Sequence, residues 1–91
     1  MTLQRRRIVY TGAVQGVGFR WTAARALQGV PVTGYVCNLP DGRVELLLEG
    51  APTDNDEAAR RVRAAMARHI SHEVAELAPA TGEFQQFSIR R

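Results

Sequence analysis

The period of the apolar positions changes several times along this chain, and each change marks an element. Ile8 to Val14 is rich in β-branched and aromatic residues and reads as a first strand. The glycines of Gln15 to Phe19 break that pattern. Phe19, Ala23, Ala26, Leu27 and Val30 then recur at i, i+4, i+7, i+8 and i+11. That spacing predicts a helix, stopped by Gly29 and Pro31. Val32 to Asn38 reads as a second strand and runs into Leu39-Pro40-Asp41-Gly42, a turn sequence. From Arg43 to Glu49, Val44, Leu46 and Leu48 face one way, and Arg43, Glu45, Leu47 and Glu49 the other. The two segments predict a β-hairpin.

Thr53 and Asp54 are candidate caps of a longer helix, with Glu57 three residues after Asp54. Ala58, Val62, Ala65, Met66, His69 and Ile70 mark its apolar side. Val74 to Leu77 reads as a weak fourth strand, and Phe84 to Ile89 as the last. The order strand, helix, strand, strand, helix, strand predicts an α+β fold of the ferredoxin-like, split β-α-β type. Its antiparallel sheet would carry two helices on one face and leave the other partly wet.

Length and composition narrow the functional classes. The 91 residues fit one domain, taken as 1–91, and leave no room for a second. The only cysteine, Cys37, has no partner for an internal disulfide, and no Cys/His spacing suggests zinc. A cytoplasmic location is the expectation. No apolar run approaches the roughly 20 residues of a membrane span, and no secretion signal is visible. Twelve basic against nine acidic residues give a net charge of +3, which favours anionic ligands. The Arg5-Arg6-Arg7 and Arg90-Arg91 runs are expected to be solvated terminal charge.

Gly12-Ala13-Val14-Gln15-Gly16-Val17-Gly18-Phe19-Arg20 is the most informative stretch. It leads from a strand into a helix start, where backbone N–H groups lack internal partners and the helix dipole is positive. Gly16 and Gly18 let successive N–H groups converge into an anion nest. Arg20 adds a planar, permanently charged fork that can grip two phosphate oxygens. The run matches neither the nucleotide P-loop nor the dinucleotide fingerprint. Asn38 closes the row Val32, Gly34, Val36 at a strand end, near the start of the first helix. Locally it reads equally well as a turn asparagine or as a site residue.

Other residues have competing readings. Cys37 to Arg43 satisfies C-x5-R, the spacing of cysteine-dependent phosphatases. However, Pro40 lacks an N–H, Asp41 would repel an anion and no helix start follows, so an incidental thiol is expected. His69 and His72 stand at i, i+3 without carboxylate or cysteine partners and are not expected to bind metal. Trp21 and Tyr35 have two readings, stacking on a ligand or packing and lying on a half-exposed sheet face, and the second is the expectation. Gly18-Phe19-Arg20-Trp21 does not match the strand motif of RNA-recognition modules.

The 12–20 run resembles the first motif of the acylphosphatase family, G-x-V-Q-G-V-x-F-R. Gly34-Tyr35-Val36-Cys37-Asn38-Leu39-Pro40-Asp41-Gly42-Arg43-Val44 resembles its second. Glu49-Gly50 and the closing Phe87-Ser88-Ile89-Arg90 also fit the pattern, so the resemblance spans nearly the whole chain. It implies hydrolysis of the carboxyl–phosphate bond of small-molecule acyl phosphates. Arg20 and the backbone of Gln15, Gly16, Val17, Gly18 and Phe19 would hold the phosphate, and Asn38 would orient the attacking water. It implies a monomer with no metal or other cofactor, and neither a nucleic acid nor a membrane as partner. Ala13 and Cys37 depart from residues common in the family. So does Met66 to His72, where many relatives have Gly-Pro. The alternative is a catalytically silent anion- or RNA-binding module of the same fold.

Overall fold

The computed structural model describes residues 2–91; Met1, the first residue of the expected 1–91 domain, lies outside the described residues. Seven elements follow in order: β1 (Gln4–Gly12), α1 (Phe19–Ala26), β2 (Thr33–Asn38), β3 (Val44–Gly50), α2 (Pro52–Met66), β4 (Ile70–Pro79) and β5 (Phe87–Arg90). They form one sheet in the order β4-β1-β3-β2-β5. This is the α+β, ferredoxin-like arrangement expected from the sequence.

Alternation decides what each face of the sheet buries. Ile8, Tyr10, Val36, Val44, Leu46 and Leu48 point to the helices and meet Phe19, Ala23 and Leu27 of α1 and Ala58, Val62 and Met66 of α2. On the other face Val9 and Leu47 are buried too, although no helix covers them. Arginine–glutamate pairs and residues 80–86 account for that cover. Arg5 Nε donates to Glu49 at 2.7 Å, and Arg7 pairs with Glu45. The backbone N–H groups of Thr81 and Gly82 donate to Glu49 at 2.9 and 3.0 Å.

Several expectations need correction. Arg5, Arg6 and Arg7 are not solvated terminal charge: they lie within β1 and pair with Glu49, Asp56 and Glu45. β1 therefore begins four residues earlier than apolar patterning predicts, because ion pairing takes the place of apolar burial. Thr53 and Asp54 do not cap α2. The helix opens after Ala51 with Pro52 in its first turn, where a missing N–H costs nothing. Asn55 ties that turn to the sheet, its Nδ2 donating to Gln4 O at 2.9 Å. His69 and Ile70 fall beyond the end of α2, and Ile70 opens a ten-residue β4 rather than a four-residue one.

The sheet is antiparallel except at one edge, where β5 pairs parallel to β2, with Gly34 opposite Phe87 and Cys37 opposite Arg90. Connection length explains this. β4 ends at Pro79, beside Gln4 and thus at the end of the sheet where β2 begins. A link of residues 80–86 re-enters at that same end, so β5 must run with β2 and arrive at the end that carries Asn38.

Glu49 holds that link and also confers pH dependence. Burial raises its pKa, but the Thr81 and Gly82 N–H groups, the Thr81 hydroxyl and Arg5 outweigh burial and hold it below its ordinary 4.5. A carboxyl depressed on folding stabilises above its unfolded pKa and loses that contribution as pH falls through the folded value. Glu49→Gln is expected to cost about 2 kcal/mol at pH 7, the scale of hydrogen bonds to a charged group. The gap from wild type should begin to narrow below about pH 4.5 and close as pH falls through the depressed folded pKa of Glu49. Urea midpoints at pH 7 and pH 3.5 measure this, and a gap of equal size at both would refute it.

Candidate active site

β1 and β2 flank β3 and run in the same direction, with Tyr10 and Asn38 both opposite Val44. The chain therefore leaves both strands at one end of the sheet, and the loop before α1 stands beside the end of β2. Gly16 and Gly18 take φ of +78° and +75°, and Gly18 caps α1 in the left-handed region. A Cβ at either would meet nothing within 4 Å. Backbone conformation, not space, therefore calls for glycine here. The first free N–H groups of α1 follow directly.

An open cavity of about 570 Å³ lies at this junction. Gly16, Gly18, Phe19 and Arg20 line it from the loop and the start of α1, and Asn38 from the end of β2. Arg20 forms no carboxylate pair among the described residues; its Nη1 lies 3.5 Å from the backbone oxygen of Arg90. Its charge is thus available to a ligand. No acidic residue lines the cavity.

Two of the expected loop residues stand apart. Val17 is exposed and does not line the cavity. Gln15 does not line it either; its Nε2 donates to Leu39 O at 2.8 Å and to Arg43 O at 2.9 Å. Gln15 thereby fastens the glycine loop to the turn that follows Asn38, a role that no local sequence pattern signals. Trp21, Ile89 and Arg91 also wall the cavity; of these only Trp21 carried a sequence signal, as an aromatic able to stack on a ligand. Trp21 is 59% exposed and does not pack into the core, which leaves the ligand-stacking reading open.

Cys37 sits on the opposite face of β2 from Asn38, buried, with Sγ 3.3 Å from Glu45 Oε1. Burial, and then hydrogen bonding to Glu45, push its pKa up to about 11. Arg43, the other end of the C-x5-R spacing, pairs with Asp41 at 2.7 Å. A protonated thiol facing away from the cavity is no phosphatase nucleophile. Among the described residues, no group of three or more His, Cys, Asp or Glu side chains could hold a metal ion.

The sequence profile of the acylphosphatase family matches residues 6–89. The chain belongs to the acylphosphatase family. It is 41% identical over 91 residues to the acylphosphatase of Methylococcus capsulatus, with 98% of each chain covered. Against the acylphosphatase of Lactobacillus johnsonii it is 37% identical over 81 residues, covering 87% of this chain and 89% of that one. The crystal structure of acylphosphatase from Bacillus subtilis superposes with a TM-score of 0.87 at 28% identity, covering 97% and 99% of the two chains. As a member of the acylphosphatase family the protein is a hydrolase. No helix among the described residues is long and apolar enough to cross a membrane.

Proposed function

We propose that this chain, acting as one domain over residues 1–91, hydrolyses small-molecule acyl phosphates to a carboxylate and phosphate. The observation that carries this reading is the unpaired Arg20 sharing one open cavity with Asn38 and the glycine loop at the start of α1. The loop N–H groups and Arg20 hold the phosphoryl oxygens, and Asn38 presents a water for in-line attack on phosphorus. The P–O bond to the acyl group breaks as the new one forms, and the carboxylate leaves with the electron pair. The water proton passes to the phosphate oxygens, giving carboxylate and dihydrogen phosphate.

Asn38 is not a base in this scheme, since an amide does not take up a proton near pH 7; its carbonyl orients the water. Catalysis is then positioning plus charge stabilisation. A carboxylate leaving group needs no acid, which explains how so few side chains suffice. We assign no metal or other cofactor to the reaction, and we take the protein as a cytoplasmic monomer.

Of the rival readings, an RNA-binding module needs aromatic rings open on the sheet, and a silent anion-binding module is separated by turnover alone. Tyr10 and Phe19 are instead core residues, and Arg90 stacks 3.8 Å over Tyr35. Benzoyl phosphate hydrolysis in excess chelator separates the readings. Wild type and Cys37→Ser are expected to turn over alike, and Asn38→Ala to lose about 10²-fold or more in kcat. A folded wild type without turnover would favour the silent module, and an inactive Cys37→Ser would revive cysteine chemistry.

A further inference from the structure

The cavity is larger than a phosphate needs. Beyond the nest, its wall continues to Trp21 and Ile89. These are large apolar side chains left 59% and 43% exposed, and Trp21 is the one exposed aromatic ring among the described residues, the others being buried or half-buried. Exposed apolar surface beside a polar site marks a place where a ligand completes the burial.

The indole is also braced. Arg25, one helical turn after Trp21, stacks its guanidinium 4.8 Å from the ring centroid. A braced ring loses little freedom when something packs on it, so it can serve as a preformed platform. Ile89 reaches the same cavity only because β5 runs parallel to β2. Two elements distant in sequence thus place apolar surface beside the phosphate nest, with Trp21 the residue directly after Arg20.

We propose that Trp21, with Ile89, is the acyl-group platform of this site, and that the preferred substrates are acyl phosphates with an aromatic or extended apolar acyl group. This rests on the acyl phosphate reading above. The phosphate sits in the nest, the carbonyl carbon lies toward the mouth, and the apolar group covers the indole. Such contacts persist from ground state to transition state, so they act mainly on KM.

The test compares benzoyl phosphate with acetyl phosphate, whose single methyl group is too small to cover the ring. For Trp21→Ala, kcat/KM on benzoyl phosphate is expected to fall about five- to tenfold, mostly through KM, the scale of one lost aromatic contact. On acetyl phosphate the loss should stay under about twofold, and inhibition by inorganic phosphate should not change, because the nest is intact. Trp21→Phe should keep most of the benzoyl preference. Equal losses on both substrates, or none on either, would overturn the platform while leaving the hydrolase reading in place. A folded wild type that hydrolyses neither substrate would overturn the hydrolase reading, and the platform with it.

Discussion

Replacing Arg20 by alanine is expected to lower kcat/KM on benzoyl phosphate by about 10²–10³-fold or more, while the melting temperature stays within a degree or two. The two halves of that expectation have one cause. Arg20 has no carboxylate partner among the described residues, and its one backbone contact, to Arg90, is long at 3.5 Å. Little of its charge is committed to the fold, so little stability goes with it. On the proposed mechanism the rate depends on it, because the phosphoryl group carries its charge on oxygens that a planar fork can bridge. Arg20→Lys should recover only part of the loss, since an ammonium keeps the charge but not the two-point grip. Inorganic phosphate should inhibit the alanine variant far less than the wild type. A variant that retained the rate within a few-fold would show that another group holds the phosphate.

Gly34→Ala should act in the opposite way and abolish the fold rather than the chemistry. Gly34 lies in β2 between β3 and β5, opposite Leu48, at φ +129°. A Cβ there would stand 1.9 Å from the backbone oxygen of Leu47 and 2.8 Å from its carbonyl carbon. Neither atom can move aside without breaking the β2–β3 ladder. The expected loss exceeds about 4 kcal/mol, in the range reserved for such steric conflicts. A chain of this size commonly has only about 5–14 kcal/mol in total. Soluble yield and urea midpoint report the effect. Gly16→Ala is the control: its φ is also positive, but its Cβ would meet nothing within 4 Å, so only the backbone cost of about 1 kcal/mol applies. A Gly34→Ala protein with near wild-type stability would mean that β2 and β3 can separate at this point.

The contrast between these residues explains what the sequence revealed. The β2–β3 hairpin was legible because Val44, Leu46 and Leu48 recur at every second position, set off by Arg43, Glu45 and Glu49, after a Pro-Asp-Gly turn. α1 was legible because Phe19, Ala23 and Leu27 share one face. The start of β1 was hidden because Arg5 and Arg7 are covered through Glu49 and Glu45, and charge pairing leaves no apolar period to read. β4 looked short because it is an edge strand with most side chains exposed, so neither face demands alternation. The parallel β5 depends on where the chain re-enters the sheet, which no local pattern encodes. The 16–20 loop, Arg20 and Asn38 stood out as motifs. Gln15's two hydrogen bonds and the Trp21–Ile89 wall did not, because they arise only when distant segments meet.

The parallel seating of β5 places the two tasks of the molecule at opposite ends of one sheet. Glu49, Thr81, Gly82 and Asn55 fasten one end, and the loop, Arg20, Asn38 and Ile89 occupy the other. β2 alone, six residues long, separates them by roughly 20 Å. Free-energy changes at sites that far apart generally add. The architecture is therefore suited to evolvability. If the proposed acyl platform holds, changes at residues 16–21 and 89–91 retune which acyl group is accepted, drawing on a stability reserve kept at the far end, and neither end needs to compensate for the other.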